Sequence, residues 1–473
     1  MILTINSNSN QSKKNTKPIK PEKPIAILRD WTDGSILSNL WALSWPVVIS
    51  ATLNQLGPVF DAIWVGRLGP DAVAGVGVAG IIVALVNAMV MGIFMGLGAM
   101  IARSIGAGDK GSAIQAARQG IILGIALSVM MALIGVFFSR RLLGIFGLTP
   151  EVVALGAAYL SIQFVGMATM IFEWLTNGIM QASGDTMNPM RIAFIARILA
   201  IALSPCFVFG WWIFPQMGVR GPAIASVISF SLGGGIGLWL LFSGYTRLKL
   251  NFKAFHIDFK LLWRMVRIGI PSAINQMQMS LVSLVVMGFI AAYGTAAVAA
   301  STIVGRIEML VVMPGMGFGS AAGVLVGHNL GAKKPERAEK SGWIAVVIVD
   351  ACIAVFALAM VIWANQVASI FSNDPQVIHY GSTFLKIASV GYLIVGTSYI
   401  LSSCLNGAGD TLVPMIAGLV SMWGAQIPLA YFLPKVGDLG VYGIRWAAVI
   451  AIWIRAITYI IYFRGGRWKH RKV

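Results

Sequence analysis

From residue 40 onward the chain is a succession of long apolar runs broken by short polar connections. A membrane-spanning helix needs about 20 apolar residues at 1.5 Å each. By that measure the pattern predicts helices near 40–66, 72–103, 116–139, 152–181, 188–213, 219–244, 263–292, 296–327, 342–365, 376–406, 411–433 and 441–463. The expected fold is an all-α integral membrane protein of about twelve transmembrane helices. Two polar stretches interrupt the rhythm. One is a tail at 1–36 and the other a linker at 246–262, which leaves lobes at 37–245 and 263–473, the second ending in a basic tail.

The two lobes repeat one another. Pro46 recurs at Pro271, an offset of 225 (271 − 46), and Ser104-Ile105-Gly106-Ala107 recurs at the same offset as Asn329-Leu330-Gly331-Ala332. Ser183-Gly184-Asp185-Thr186 recurs as Ala408-Gly409-Asp410-Thr411, and Pro189 as Pro414. An even number of spans per repeat makes the lobes parallel, related by an axis along the membrane normal. Such repeats commonly build a transporter whose site lies between them.

Composition agrees. Hydrophobic residues make up 58% and charged residues 11%, against about 25% charged in a soluble domain. The net charge of +18 does not point to nucleic acid, because Lys and Arg gather in alternate connections, as the positive-inside rule requires. That bias puts both termini in the cytoplasm, and the lack of a signal or transit peptide favours a prokaryotic inner membrane. The tail, with Lys13, Lys14, Lys17, Lys20 and Lys23, is expected to be disordered and cytoplasmic, near anionic lipid. Cys206, Cys352 and Cys404 lie in apolar runs and read as small buried residues. Gly75-Val76-Gly77-Val78-Ala79-Gly80 fits a dinucleotide fingerprint by letter only, since no strand precedes it. With no Walker motif and no metal-ligand cluster, neither an enzyme nor a bound cofactor or metal is expected.

An ionisable residue inside a span needs an explanation. The acids are Asp61, Glu173, Glu308 and Asp350, and the bases are Arg197, Arg306, Lys386 and Arg455. Glu173 and Arg197 lie about 12 residues either side of the turn near 185, so they are expected to pair across a hairpin. Depth counting also suggests Glu308 with Lys386 and Asp350 with Arg455, as gating or structural pairs. Asp61 has no partner at its depth, so it must take up a proton or hold a cation. The competing reading is a bridge from Asp61 to Arg306 across the cleft, formed in one state. Gln163, Ser204 and, more weakly, Asn87 are placed to add oxygen ligands.

The sequence resembles the multidrug and toxic compound extrusion (MATE) family over roughly 40–463. The resemblance rests on Pro46 with Phe60-Asp61-Ala62-Ile63-Trp64-Val65-Gly66, on Gln181-Ala182-Ser183-Gly184-Asp185-Thr186 and its echo, and on Met313-Pro314-Gly315-Met316-Gly317-Phe318 through Leu325-Val326-Gly327-His328. It implies export of amphipathic, often cationic compounds driven by inward flow of H⁺ or Na⁺. In several prokaryotic members the first-helix Asp works with an Asn and an Asp-Pro in the fifth helix. Here Ala200 and Ser204 occupy those places, ahead of Pro205. The seventh-helix acid of some members is absent from Asn275-Gln276-Met277-Gln278-Met279.

The expected function is thus a cation-coupled antiporter whose lobes rock about a central cleft in the bilayer, with the monomer as the unit. Phe60, Trp64, Met95, Met167, Trp174, Met277 and Tyr399 are the candidate cleft residues, because thioethers adapt to varied shapes and aromatic faces attract organic cations. The alternatives are a lipid-linked precursor flippase, which calls for a strongly cationic cleft, and a non-transporting receptor or channel.

Overall fold

A computed structural model describes residues 30–67, 70–147, 149–211, 213–251, 256–437 and 439–471. The tail lysines, Lys253 and Lys472 lie outside them. The first lobe comprises α1 (Ile36–Gly66), α2 (Pro70–Gly106), α3 (Lys110–Gly144), α4 (Pro150–Ala182), α5 (Met187–Phe209) and α6 (Arg220–Ser243). The second comprises α7 (Phe259–Ala291), α8 (Thr295–Gly331), α9 (Pro335–Ile362), the short α10 (Ala364–Phe371) and α11 (Pro375–Gly407). It then continues through α12 (Leu412–Gly418), a π-helix (Leu419–Gln426), α13 (Ile427–Phe432) and α14 (Val441–Arg464). Twelve spans among the described residues are long and apolar enough to cross a membrane, with Leu412–Lys435 counting as one. The expected fold class stands.

Several helices start or stop where local chemistry requires. Asp109 caps α3 by accepting from the Ser112 N–H at 2.9 Å, and Asp258 caps α7 by accepting from Lys260 and Leu261. At the ends of α4 and α11 the chain turns through Gly184 (φ 86°) and Gly409 (φ 81°), in the left-handed region that suits glycine. The Asp185 N–H then bonds the Met180 carbonyl and the Asp410 N–H bonds the Leu405 carbonyl, both at 2.9 Å. This is a Schellman-type closure used twice, and it explains the repeated Gly-Asp-Thr.

The same twofold logic builds the contact between lobes. A Cβ on Gly106 of α2 would collide with the His328 backbone of α8, and one on Gly331 of α8 would collide with the Arg103 backbone of α2. These four residues are each other's mates in the repeat. Polar bridges follow suit. The His328 ring bonds the Ala182 carbonyl at 2.9 Å, and Arg103 Nη1 donates to the Ala408 carbonyl at 3.4 Å and to the Arg471 carbonyl at 2.5 Å. Farther along, Gly92 packs on the Ala273 backbone and Gly317 on Val48, again a pair of mates. All these contacts lie at, or toward, the end of the bundle that carries the termini.

The linker and tail boundaries shift. Leu248 and Leu250 of the linker are buried in the first lobe's core, and α7 already begins at Phe259. Residues 30–35 are not free tail. Trp31 is 6% exposed, packed against Gly184, with the Arg247 guanidinium 5.2 Å from its ring centroid. Arg337 of α9 donates to the Gly34 carbonyl at 2.7 Å, so this segment ties both lobes at the closed end. At the other terminus Trp468 stacks on Phe463 at 4.5 Å, and Arg471 Nε reaches Asp410 at 3.3 Å.

Candidate functional site

The first lobe holds a small polar group among apolar helices. Asp61 projects from the last turns of α1, and Ser204 Oγ of α5 donates to its Oδ1 at 2.7 Å. Pro205 follows within α5 and has no N–H to offer the Ile201 carbonyl, which leaves an acceptor in the same stretch of helix. On α4, Gln163 Nε2 donates to the Tyr159 hydroxyl at 3.0 Å, and that hydroxyl lies close enough to sense the Asp61 charge. Gln163 is thus bonded to Tyr159 and not to Asp61, a partner that sequence reasoning missed. The i, i+4 spacing of Tyr159 and Gln163 was the available signal. Asn87 makes no bond to the group, and its side-chain oxygen is buried without a partner.

The expected ion pair is present. Arg197 Nη2 lies 3.2 Å from both carboxylate oxygens of Glu173, and the two residues are 6% and 1% exposed. The guanidinium also lies 4.3 Å from the Phe230 ring centroid and interacts electrostatically with Asp61.

The other two expected pairs do not form. Glu308 pairs with Arg445 at 3.4 Å, not with Lys386. Arg445 sits in the first turns of α14, donates to Ser301 Oγ at 2.8 Å and lies over the Phe384 ring. Lys386 is exposed and has no carboxylate partner among the described residues. Asp350 accepts from the Thr397 N–H at 2.9 Å and from the Thr397 hydroxyl, not from Arg455. Gly396 makes this possible, since a Cβ there would strike the carboxylate. Arg455 lies near Tyr399 and Tyr459. No bridge joins Asp61 to Arg306 in this state.

The expected central cleft falls where α1 faces α8, and toward the end opposite the termini both helices carry exposed residues, Leu56 and Ile63 on α1 and Thr302 and Arg306 on α8. The narrow part of the cleft is spanned by contacts not anticipated from sequence, Thr52 Oγ1 to Met313 Sδ at 3.7 Å and Gln55 Nε2 to Met309 Sδ at 3.1 Å. Two polar side chains one turn apart in an apolar helix, facing two methionines at i, i+4, were the signal. Met95 reaches across to Asn406 Nδ2 at 4.0 Å. Trp64 packs edge-on to Phe209, and Phe60, Met277 and Tyr399 are half-buried, with Tyr399 beneath Gly315. Met167 is a correction. It is 2% exposed and sealed in the first lobe's core, so it lines nothing. Trp174 packs on the rim of the same core. Gln278 and Asn275 of α7 meet the chain at Gly418, where the π-helix begins. Gln278 Nε2 donates to Asn275 Oδ1 at 2.8 Å and to the Met415 carbonyl at 3.4 Å. Such π turns often mark functional helices.

The MatE family model matches this chain twice, over residues 46–206 and 271–432, once per lobe. The chain belongs to the MatE family. Similar proteins include the probable multidrug resistance protein NorM of Thermotoga maritima, 27% identical over 93% of this chain and 94% of that one. The probable multidrug resistance protein YoeA of Bacillus subtilis is 25% identical over 90% and 93%. Among solved structures, the outward-facing conformation of a multidrug resistance MATE family transporter matches with a TM-score of 0.86 and 25% identity, covering 92% of this chain and 96% of that one. This MatE protein is therefore a multi-pass membrane transporter of the multidrug efflux family and not an enzyme.

Proposed function

We propose that this MatE transporter is an antiporter that exports amphipathic organic compounds in exchange for H⁺ or Na⁺, with Asp61 as the coupling group. The termini face the cytoplasm, so the cleft at the opposite end opens outward. The observation that supports this is the Asp61–Ser204 contact at 2.7 Å in an otherwise apolar lobe. A carboxylate held by one hydroxyl, with no cationic side chain bonded to it, is free to exchange a proton or a hydrated cation with the open cleft. Ser204 cannot replace it, because a hydroxyl does not ionise at physiological pH. Loading Asp61 removes its negative charge from the lobe. Coupling follows if substrate and ion stabilise different states, since an effector shifts an equilibrium only through its differential affinity.

The test is counterflow in proteoliposomes under an imposed pH gradient or Na⁺ gradient. Asp61→Asn keeps shape and hydrogen bonding but not the ability to change charge. It should retain substrate binding and lose gradient-driven transport. Full ion-driven transport by this variant would move coupling elsewhere, with Glu308 the first group to examine.

A further inference from the structure

The cleft has one wall whose charge the proposed coupling cycle does not use. Along α8, Thr302, Arg306, Met309 and Met313 are spaced i, i+4, i+7 and i+11, so they form one stripe. The inner half of that stripe faces α1 of the other lobe, since Met313 meets Thr52 and Met309 meets Gln55. Deeper still, Gly317 is packed tight on Val48. One turn outward from Met309, Thr302, Gly305 and Arg306 are all exposed. Arg306 therefore stands on the cleft wall of the second lobe, eleven residues into a span that begins at Thr295.

Among the described residues, neither acid of comparable depth is bonded to it. Asp61 accepts from Ser204 within its own lobe, and Glu308 points round the helix to Arg445. On the opposing helix, Leu56 and Ile63 are 39% and 48% exposed and offer only apolar surface. A guanidinium inside a span is costly without water or a partner, so it persists where water or a ligand reaches it. Arg presents a planar fork matched to carboxylate, sulfonate or phosphate.

We propose that the cleft takes amphipathic organic anions, the acidic group on Arg306 and the apolar body against the thioethers of Met309 and Met313 and the α1 side chains Leu56 and Ile63. This rests on the transporter reading above and narrows its substrate class.

The experiment measures equilibrium binding without any gradient, on full-length protein in phosphatidylcholine nanodiscs, by fluorescence anisotropy. The probes are fluorescein, an anionic xanthene, and rhodamine 6G, a cationic one of similar shape. Wild type should bind fluorescein about tenfold more tightly than rhodamine 6G. Arg306→Gln should weaken fluorescein about tenfold and leave rhodamine 6G unchanged, and Arg306→Lys should recover binding to within about threefold. The measurement imposes no ion gradient and leaves Asp61 unaltered, so its outcome is read separately from that of the coupling proposal. Absent or weaker fluorescein binding in wild type, or an Arg306→Gln variant that binds both dyes as before, overturns it. Loss of fluorescein binding when phosphatidylglycerol is added to the discs also overturns it, by assigning Arg306 to a lipid headgroup.

Discussion

Glu173 and Arg197 give the sharpest test of the energetics of the first lobe. Glu173 is 1% exposed and Arg197 6%, so water reaches neither when the other is removed. Breaking such a pair typically costs about 3–5 kcal/mol, while replacing both partners with apolar residues is often close to neutral. Glu173→Gln should fall at the low end, about 3 kcal/mol, because the amide oxygen still accepts from Arg197 and the Phe230 face, 4.3 Å from the guanidinium, still attracts the cation. Glu173→Leu removes the acceptor and should approach 5 kcal/mol. The double variant Glu173→Leu with Arg197→Met leaves no buried charge and should be at least as stable as the worse single variant, recovering about 2 kcal/mol or more of the summed loss. The assay is the apparent melting temperature of detergent-purified protein, followed by intrinsic fluorescence and by the monodisperse fraction after heating. A double variant whose loss equals the sum of the single losses would refute the reasoning, since independent sites add and a coupled pair does not.

Other outcomes follow from the closed end of the cleft. Gly106→Val places side-chain atoms inside the His328 backbone and should hold that end open, raising the labelling of a cysteine introduced at Ser320 by a thiol reagent added from the termini side. Trp31→Ala removes a buried ring wedged beside Gly184 and should act in the same direction while leaving folded yield near wild type. Lys333 adopts φ 58° where its mate in the repeat is Gly108, so Lys333→Gly should raise the apparent melting temperature, the relief of left-handed strain outweighing the added chain entropy by about 0.5–1 kcal/mol. Met167→Leu in the sealed core should leave the substrate profile unchanged in a drug-accumulation assay, whereas Met309→Leu at the narrow part of the cleft should alter it.

Much of this architecture is legible in the sequence because the bilayer simplifies the problem. Length and hydropathy place the spans, and a constant offset of repeated residues pairs the lobes. The Glu173–Arg197 contact is legible for a related reason. The two helices are joined by a short turn, so equal distance from that turn means equal height and adjacency together. Glu308 with Lys386 fails because height carries no information about azimuth. Lys386 lies on a different side of the lobe, and Arg445 arrives from a helix far away in sequence. Asp350 with Arg455 fails because a backbone N–H and a hydroxyl at Thr397 serve a carboxylate as well as a cation does, and no charge pattern advertises them. Met167 reads as a cleft residue because an apolar side chain in a span looks the same facing a core or a cavity. The spacing of Thr52 with Gln55 and of Met309 with Met313 marks a face on each helix, but that the two faces meet depends on the packing of α1 against α8.

The doubled closure at the termini end has a consequence for leakage. Gly106 on His328 and Gly331 on Arg103 lie on either side of the axis that relates the lobes, with the Ala182 and Ala408 carbonyls completing each half. A lobe that tilts as a rigid body about that axis is expected to strip both halves in the same movement. Under the rocking motion proposed above, the seal is expected to open as one unit, which keeps leakage of protons and sodium ions through a half-open floor low.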